Sequence, residues 1–249
     1  MIVSIITVVK NDSKNIEKTI NSVWRQNYKN LEHIIIDGKS NDGTYNIIKK
    51  NKEKISIFKS SKDKNLYDAL NKGIKLSVGN IIGILHSGDL YANKNVIRKS
   101  VSFMRENNLD FVISNLNMID KNNKVLRHVN TSNYFKKILL NFGIQPPHPT
   151  LFINKNIIKK VSYYSTKYKI VGDFDFFCKI FKIKSISWKN LDFVSVLQKR
   201  GGLSDGNVYS KLKMANDMSK ILKENNYFSF KLFFILKFFL RIKEFIFLK

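Results

Sequence analysis

The sequence predicts an α/β protein with a mostly parallel central sheet flanked by helices, followed by a helical C-terminal extension. Three observations carry this expectation. Apolar β-branched runs such as Ile34-Ile35-Ile36 and Ile81-Ile82 are continuous rather than alternating, as in strands covered on both faces. Through residue 115 such runs alternate with amphipathic stretches of helical period, the pattern of βαβ units. Two of them end abruptly in carboxylate-bearing loops, Asp37-Gly38-Lys39-Ser40-Asn41-Asp42-Gly43 and His86-Ser87-Gly88-Asp89. Open α/β sheets bind ligands just past the carboxyl ends of their strands.

The elements follow in order. A strand over 2–9 precedes Asn11-Asp12-Ser13, which supplies N-cap chemistry for a helix over 14–25 with Ile16, Ile20 and Val23 on one stripe. Residues 31–37 read as the second strand, and Asp42 or Thr44 starts a helix to about 51. A third strand over 55–59 leads to a helix over 66–76, with Leu66, Leu70 and Ile74 at i, i+4 and i+8. Residues 80–85 form strand four, 94–107 a helix and 110–114 strand five. Beyond 115 the pattern loosens. Asp120-Lys121-Asn122-Asn123 reads as a hairpin tip between strands over 116–119 and 124–127. Gln145-Pro146-Pro147-His148-Pro149 holds all three prolines and is expected to be extended and helix-free. A helix over 173–181, strands near 185–188 and 193–197, a Gly201-Gly202 loop and helices over 207–223 and 228–247 complete the chain.

Length and composition bound the rest. The 249 residues suit one large domain or one and a half, and 43% hydrophobic content fills a sizeable core. The lone Cys178 excludes an internal disulfide, fits a reducing compartment and reads as core. The start of the chain lacks a basic n-region and reads as a buried strand rather than a signal peptide. A net charge of +25 implies an anionic partner or lysines dispersed over solvated faces. No nucleic-acid-binding signature is present, which argues against DNA or RNA. The aromatic 228–247 segment carries Lys237, Arg241 and Glu244 on one helical face. Those charges interrupt it too often for a bilayer span of about 20 residues. It reads instead as an in-plane membrane anchor or as a helix packed on the sheet or on a partner subunit.

The ordered set of motifs resembles the inverting family 2 glycosyltransferases, with their GT-A, Rossmann-like fold, and among them small bacterial members that build surface polysaccharides. The resemblance covers about residues 1–205. Its segments are Ser4–Asn11, Ser22–Gln26, Ile34–Thr44, Asn65–Ile74, Gly79–Ile82, Ser87–Asp89, His148–Phe152, Gly172–Asp175 and Gly201–Ser204. It implies a nucleotide-sugar-binding half over 1–115, an acceptor-binding half with the catalytic base over 116–205, and a membrane-associating tail over 206–249. It places Thr7, Asp37, Asp68, Asn71, Lys72, Ser87 and Gly88 around the nucleotide sugar, with Asp37 at a uracil-type base. Taken alone, Asp37 reads equally as a turn cap, and Asp68 as a solvated helix carboxylate beside Lys72.

Asp89 matches the last acidic residue of the family's Asp-x-Asp motif and implies a divalent cation, Mg²⁺ or Mn²⁺. Here Ser87-Gly88-Asp89 carries a single carboxylate. Asp173 matches the family's general base, with Asp175 as its confounder two residues on. His148, Asp175, Gly202 and Ser204 are secondary candidates for the acceptor or the diphosphate, and His86 lines the site. The implied activity is transfer from a nucleotide-diphosphate sugar, UDP-linked, to a glycan or lipid-linked glycan acceptor. The implied location is cytoplasmic, peripheral on the anionic inner face of the membrane through residues 226–249. The rival reading is a non-catalytic basic nucleotide- or polyanion-binding protein that kept the fold.

Overall fold

The computed structural model describes residues 1–131, 135–199 and 208–228. The first half runs β1 (Val3–Val9), α1 (Ile16–Trp24), β2 (Leu31–Asp37), α2 (Thr44–Lys50), β3 (Ile57–Ser60), α3 (Leu66–Leu76), β4 (Ile81–Ile84), β5 (Leu90–Tyr91) and α4 (Val96–Glu106). The second half runs β6 (Phe111–Ile119), β7 (Val125–Val129), β8 (Phe152–Asn154), α5 (Lys155–Lys160), α6 (Gly172–Phe181), β9 (Trp188–Lys199) and α7 (Val208–Glu224). The nine strands join one sheet in the order β3-β2-β1-β4-β8-β6-β9-β5, with β7 also paired to β6. β3, β2, β1 and β4 are mutually parallel, as are β6 and β9. The antiparallel β8 bridges the two parallel blocks.

The core explains this layering. Ile6, Val8, Ile34 and Ile36 pack on one face against Leu70 and Ile74 of α3, the phenylalanines of α6, and Ile221 and Leu222 of α7. On the other face Val3 and Ile5 meet Ile97 and Val101 of α4, while Ile35 meets Ile16, Ile20 and Ile48 of α1 and α2. Adjacent strand residues point to opposite faces, so continuous apolar runs fill both layers. Gly73 lets α3 sit close on β1: a Cβ there would lie 2.5 Å from Ile6 Cγ2.

Several sequence expectations are corrected. The strands expected at 110–114 and 116–119 are one strand, β6, whose register shifts at Asn115. In place of those expected near 185–188 and 193–197 there is a single strand, β9, which starts only at Trp188. β5, β8 and α5 were not anticipated, because each is too short to show a period. α1 is preceded by Asn15 without a side-chain cap; Asp12 meets the helix start through its carbonyl, which accepts from the Asn15 and Ile16 N–H groups, and through Oδ1, which takes the Asn15 amide at 2.6 Å. His148–Thr150 forms a 3₁₀ turn rather than extended chain. Pro149 is tolerated there because the first-turn N–H it lacks would have no helical partner. The hairpin tip is as expected, with Asp120 Oδ1 accepting from the Asn122 and Lys124 N–H groups and Asn123 at φ +64°.

Candidate active site

The parallel strands β1, β2 and β4 deliver their carboxyl ends to one edge. Register pairs Val9 with Asp37, and the Ser87 N–H donates to Val8 O, so the two carboxylate loops flank the end of β1. Asp37 is fully buried and accepts from the Ser40 N–H at 3.2 and 3.3 Å and from the Ser60 hydroxyl at 2.5 Å. It therefore organises the turn. Thr7 lies deeper in β1, with no exposed surface, its hydroxyl 3.0 Å from His33 Nε2. Asp68 accepts from the Lys64 N–H and pairs with Lys72 at 3.1 Å. The Lys64 amide, followed by Lys72, holds its carboxyl below the usual range. Lys72 is shared with Asp63 at 2.6 Å. Both ends of the Asn71 amide clamp the Tyr164 backbone, which ties α3 to the segment leading into α6.

At the second loop the glycine is required: Gly88 has φ +93°, a left-handed value that strains other residues. Its N–H is held by Thr19 Oγ1, which in turn donates to Asp89 O. The structure adds a carboxylate that the motif lacks. Asp12, from the loop after β1, accepts the Ser87 hydroxyl at 2.6 Å. Burial pushes the Asp89 carboxyl up to about 8; Gln198 Nε2, 3.5 Å away, opposes this, and the charge of Asp12 adds to it. Among the described residues no group of three or more His, Cys, Asp or Glu is placed to hold a metal ion. Asp12 and Asp89 form a pair, however. Among the described residues neither carboxylate faces a cation, although Asp12 also takes the Asn15 amide at 2.6 Å; two such oxygen donors, one deeply buried, fit a divalent cation that takes its remaining ligands from a diphosphate.

The third cluster gathers around Asp173 in the first turn of α6. Its Oδ1 accepts from the Phe174 N–H at 3.0 Å and lies 3.1 Å from the Tyr67 hydroxyl. Its Oδ2 accepts from Gln145 Nε2 at 2.5 Å. Burial raises the Asp173 carboxyl, and these donors oppose the rise. Gly172 makes room for Tyr67, whose ring would lie 2.7 Å from a Cβ at that position. His148 is buried, with Nε2 2.8 Å from the Tyr164 hydroxyl and its ring 5.8 Å from that of His86. Burial holds His86 down to about 3 and His148 to about 4, so both are neutral. Asp175 turns away, to Lys179 at 2.6 Å and to Asn225. Its backbone sits two residues on, on another helix face. Gly202, Ser204 and residues 229–249 lie outside the described residues.

Sequence reasoning missed Asp12, Asp63, Tyr67, Gln145 and Gln198 as neighbours of the site. No spacing could reveal them, since Gln145 reaches Asp173 across 28 residues and Tyr67 across 106. Cavities of about 390 and 330 Å³ lie elsewhere, one beside Lys179 and Asn225, the other between residues 167–170 and α7.

Comparison with known proteins fits this geometry. The Escherichia coli "UDP-Glc:alpha-D-GlcNAc-diphosphoundecaprenol beta-1,3-glucosyltransferase WfgD" is 27% identical over 90% of this chain and 87% of its own. A Mycobacterium tuberculosis "Uncharacterized glycosyltransferase MT1564" is 34% identical over 40% of this chain, and the match spans 38% of that relative. Among solved structures, Staphylococcus aureus TarS 1–349 in complex with UDP-GlcNAc superposes with TM-score 0.70 at 19% identity, covering 89% of this chain and 66% of that one. The Pyrobaculum calidifontis mannosyltransferase PcManGT, in complex with GDP-Man and Mn²⁺, gives TM-score 0.66 at 16% identity, covering 89% and 63%. These structures share the fold, the curled, mostly parallel GT-A sheet flanked by helices. The family described as "Glycosyl transferase family 2" matches residues 4–186, most of the chain, and to that family this protein belongs.

Proposed function

We propose that this glycosyltransferase moves a sugar, with inversion at the anomeric carbon, from a UDP-linked donor to a lipid-linked glycan during cell-surface polysaccharide synthesis. The observation that carries the reading is Asp173: a half-buried carboxylate with no cation beside it among the described residues, held by the Gln145 amide and the Phe174 N–H with the Tyr67 hydroxyl alongside, and raised by its partial burial. A base is most effective when its pKa approaches the working pH, so burial tunes it in the useful direction. The acceptor oxygen attacks the anomeric carbon from the side opposite the diphosphate. The C–O bond to the diphosphate breaks, its electron pair stays on the leaving group, and the acceptor proton passes to Asp173.

Asp12 and Asp89 would hold a Mg²⁺ or Mn²⁺ ion, which when bound neutralises the charge that grows on the leaving diphosphate. Asp37, Gly38 and Ser40 form the floor for the base, while Asp68, Asn71 and Lys72 support that floor from α3. Residues 1–115 serve the donor and 116–205 the acceptor. WfgD, a relative along most of its length, is named for a UDP-glucose donor and a diphosphoundecaprenol acceptor, which supports both choices.

The tail, 206–249, is assigned to the anionic inner face of the membrane, with the enzyme cytoplasmic and peripheral. Lys169, Lys213 and Lys220 line the groove beside α7 with Tyr168, Ile170 and Met214, and Leu212 and Phe228 are 61% and 65% exposed. Among the described residues no helix is long and apolar enough to cross a membrane. Basic residues near an anionic leaflet contribute about 1 kcal/mol each.

The test is UDP release by the full chain from UDP-glucose and UDP-N-acetylglucosamine, with Mn²⁺ and an undecaprenyl-diphosphate-linked N-acetylglucosamine acceptor. Acceptor-stimulated release with a β-configured product is expected. Release from neither donor, or an α-configured product, would overturn the reading. Sedimentation with anionic vesicles that is undiminished by deleting 226–249 would remove the tail from the membrane assignment.

A further inference from the structure

We infer that Gln145 is the positioning residue of the base: its amide fixes the Asp173 carboxylate so that Oδ2, and not Oδ1, receives the acceptor's proton. This rests on the reading of Asp173 as the base. The two carboxylate oxygens are occupied unequally. Oδ1 accepts from the Phe174 N–H at 3.0 Å, and the Tyr67 hydroxyl, whose single proton is shared with Ile170 O, crowds its other side at 3.1 Å. Oδ2 has a single partner, Gln145 Nε2 at 2.5 Å, which leaves one lone pair for an incoming proton. Tyr67 does not compete for that role. Its hydroxyl also reaches Ile170 O, which anchors the ring to the segment just before α6.

The orientation of the Gln145 amide is dictated by chemistry. An ionised carboxylate only accepts, so the NH₂ end must face Asp173. That choice leaves Gln145 Oε1 buried without a hydrogen-bond partner. A buried orphan carbonyl is unfavourable, and such groups persist where another function over-determines them. The backbone supports the same end. Gln145 precedes Pro146 and Pro147, and the residue before a proline is confined to extended conformations. The amide is therefore presented to Asp173 from a backbone segment with restricted φ and ψ.

The ionisable groups facing Asp173 are Tyr67 from α3, Tyr164 from the segment before α6, and His86 after β4, which is backed by His148. Both tyrosines are pushed up by burial and both histidines down, so all four are neutral at working pH. Gln145 and the Phe174 amide are thus the main supports for the charged form. Removing a donor from a carboxylate favours its protonated form, so the carboxyl should titrate at higher pH without Gln145.

The experiment is a ¹³C-carboxyl NMR titration of the full chain, with Asp173→Asn identifying the Asp173 resonance. Gln145→Leu is expected to raise the Asp173 midpoint by about one pH unit, and Tyr67→Phe to raise it less, because the Phe174 amide stays on Oδ1. The acid limb of kcat/KM for UDP release should move with it while UDP affinity stays constant. Gln145→Asn, one methylene too short to reach, gives the same readout if the leucine variant does not fold. An unmoved midpoint in the Gln145 variants overturns the inference. Full turnover in Asp173→Asn would instead overturn the base assignment, which separates the two failures.

Discussion

The two sides of the sheet's carboxyl edge treat their carboxylates differently. On the β2–α3 side Asp63 and Asp68 share the Lys72 ammonium. On the β4–α6 side Asp89 is buried and Asp173 half-buried, both with neutral donors only, and desolvation raises both. A compensated carboxylate holds a scaffold in place. An uncompensated, buried one is poised to take a cation or a proton, which is why shifted groups cluster at functional sites. The contrast also separates Asp173 from Asp175: two residues apart, one faces Gln145 and the other Lys179.

That contrast can be broken experimentally. The largest effect is expected at Asp173. Asp173→Asn should lower turnover by about 10²–10⁴ while UDP affinity, followed by calorimetry, stays within about twofold. Retained turnover would place the base elsewhere. Asp89→Asn should abolish the tightening of UDP binding by Mn²⁺, an effect of about tenfold or more, and Asp12→Asn should weaken it by less because Ser87 already engages that carboxylate. Mn²⁺-assisted UDP binding of full strength in both variants would dissolve the pair as a cation site. The smallest effect on activity belongs to Asp175→Asn. It breaks a buried ion pair, so thermal stability should fall by about 1–3 kcal/mol with turnover of the folded fraction intact. A loss of turnover there as large as at Asp173 would erase the distinction.

Much of the first half was readable from the chain. Its contacts join neighbours in a βαβ succession, and the apolar period announces each one; α3 begins and ends where the Leu66, Leu70 and Ile74 stripe predicts. The second half, and β5 in the first, resisted. β8 has three residues and β5 two, and each is a strand only because a distant partner offers a ladder edge. β6 and β9 read as broken strands because polar Asn115 and Asp192 interrupt their apolar runs, yet these two side chains hydrogen-bond to each other across the pair. Asp12 was legible as a helix cap and became a site carboxylate as well, since its backbone carbonyl and Oδ1 serve the start of α1 while Oδ2 reaches across to Ser87.

The sequence by itself determined the layered α/β fold, the family, and the identities of Asp37, Asp89 and Asp173 as strand-end or helix-start carboxylates. These depend on local periodicity and on turn chemistry, which act over a few residues. Tertiary structure alone decided which carboxylates are neutralised and which are left exposed to chemistry. That choice turns on partners such as Gln145, Tyr67 and Asp12, brought from far along the chain, and on burial, which is a property of the packed whole.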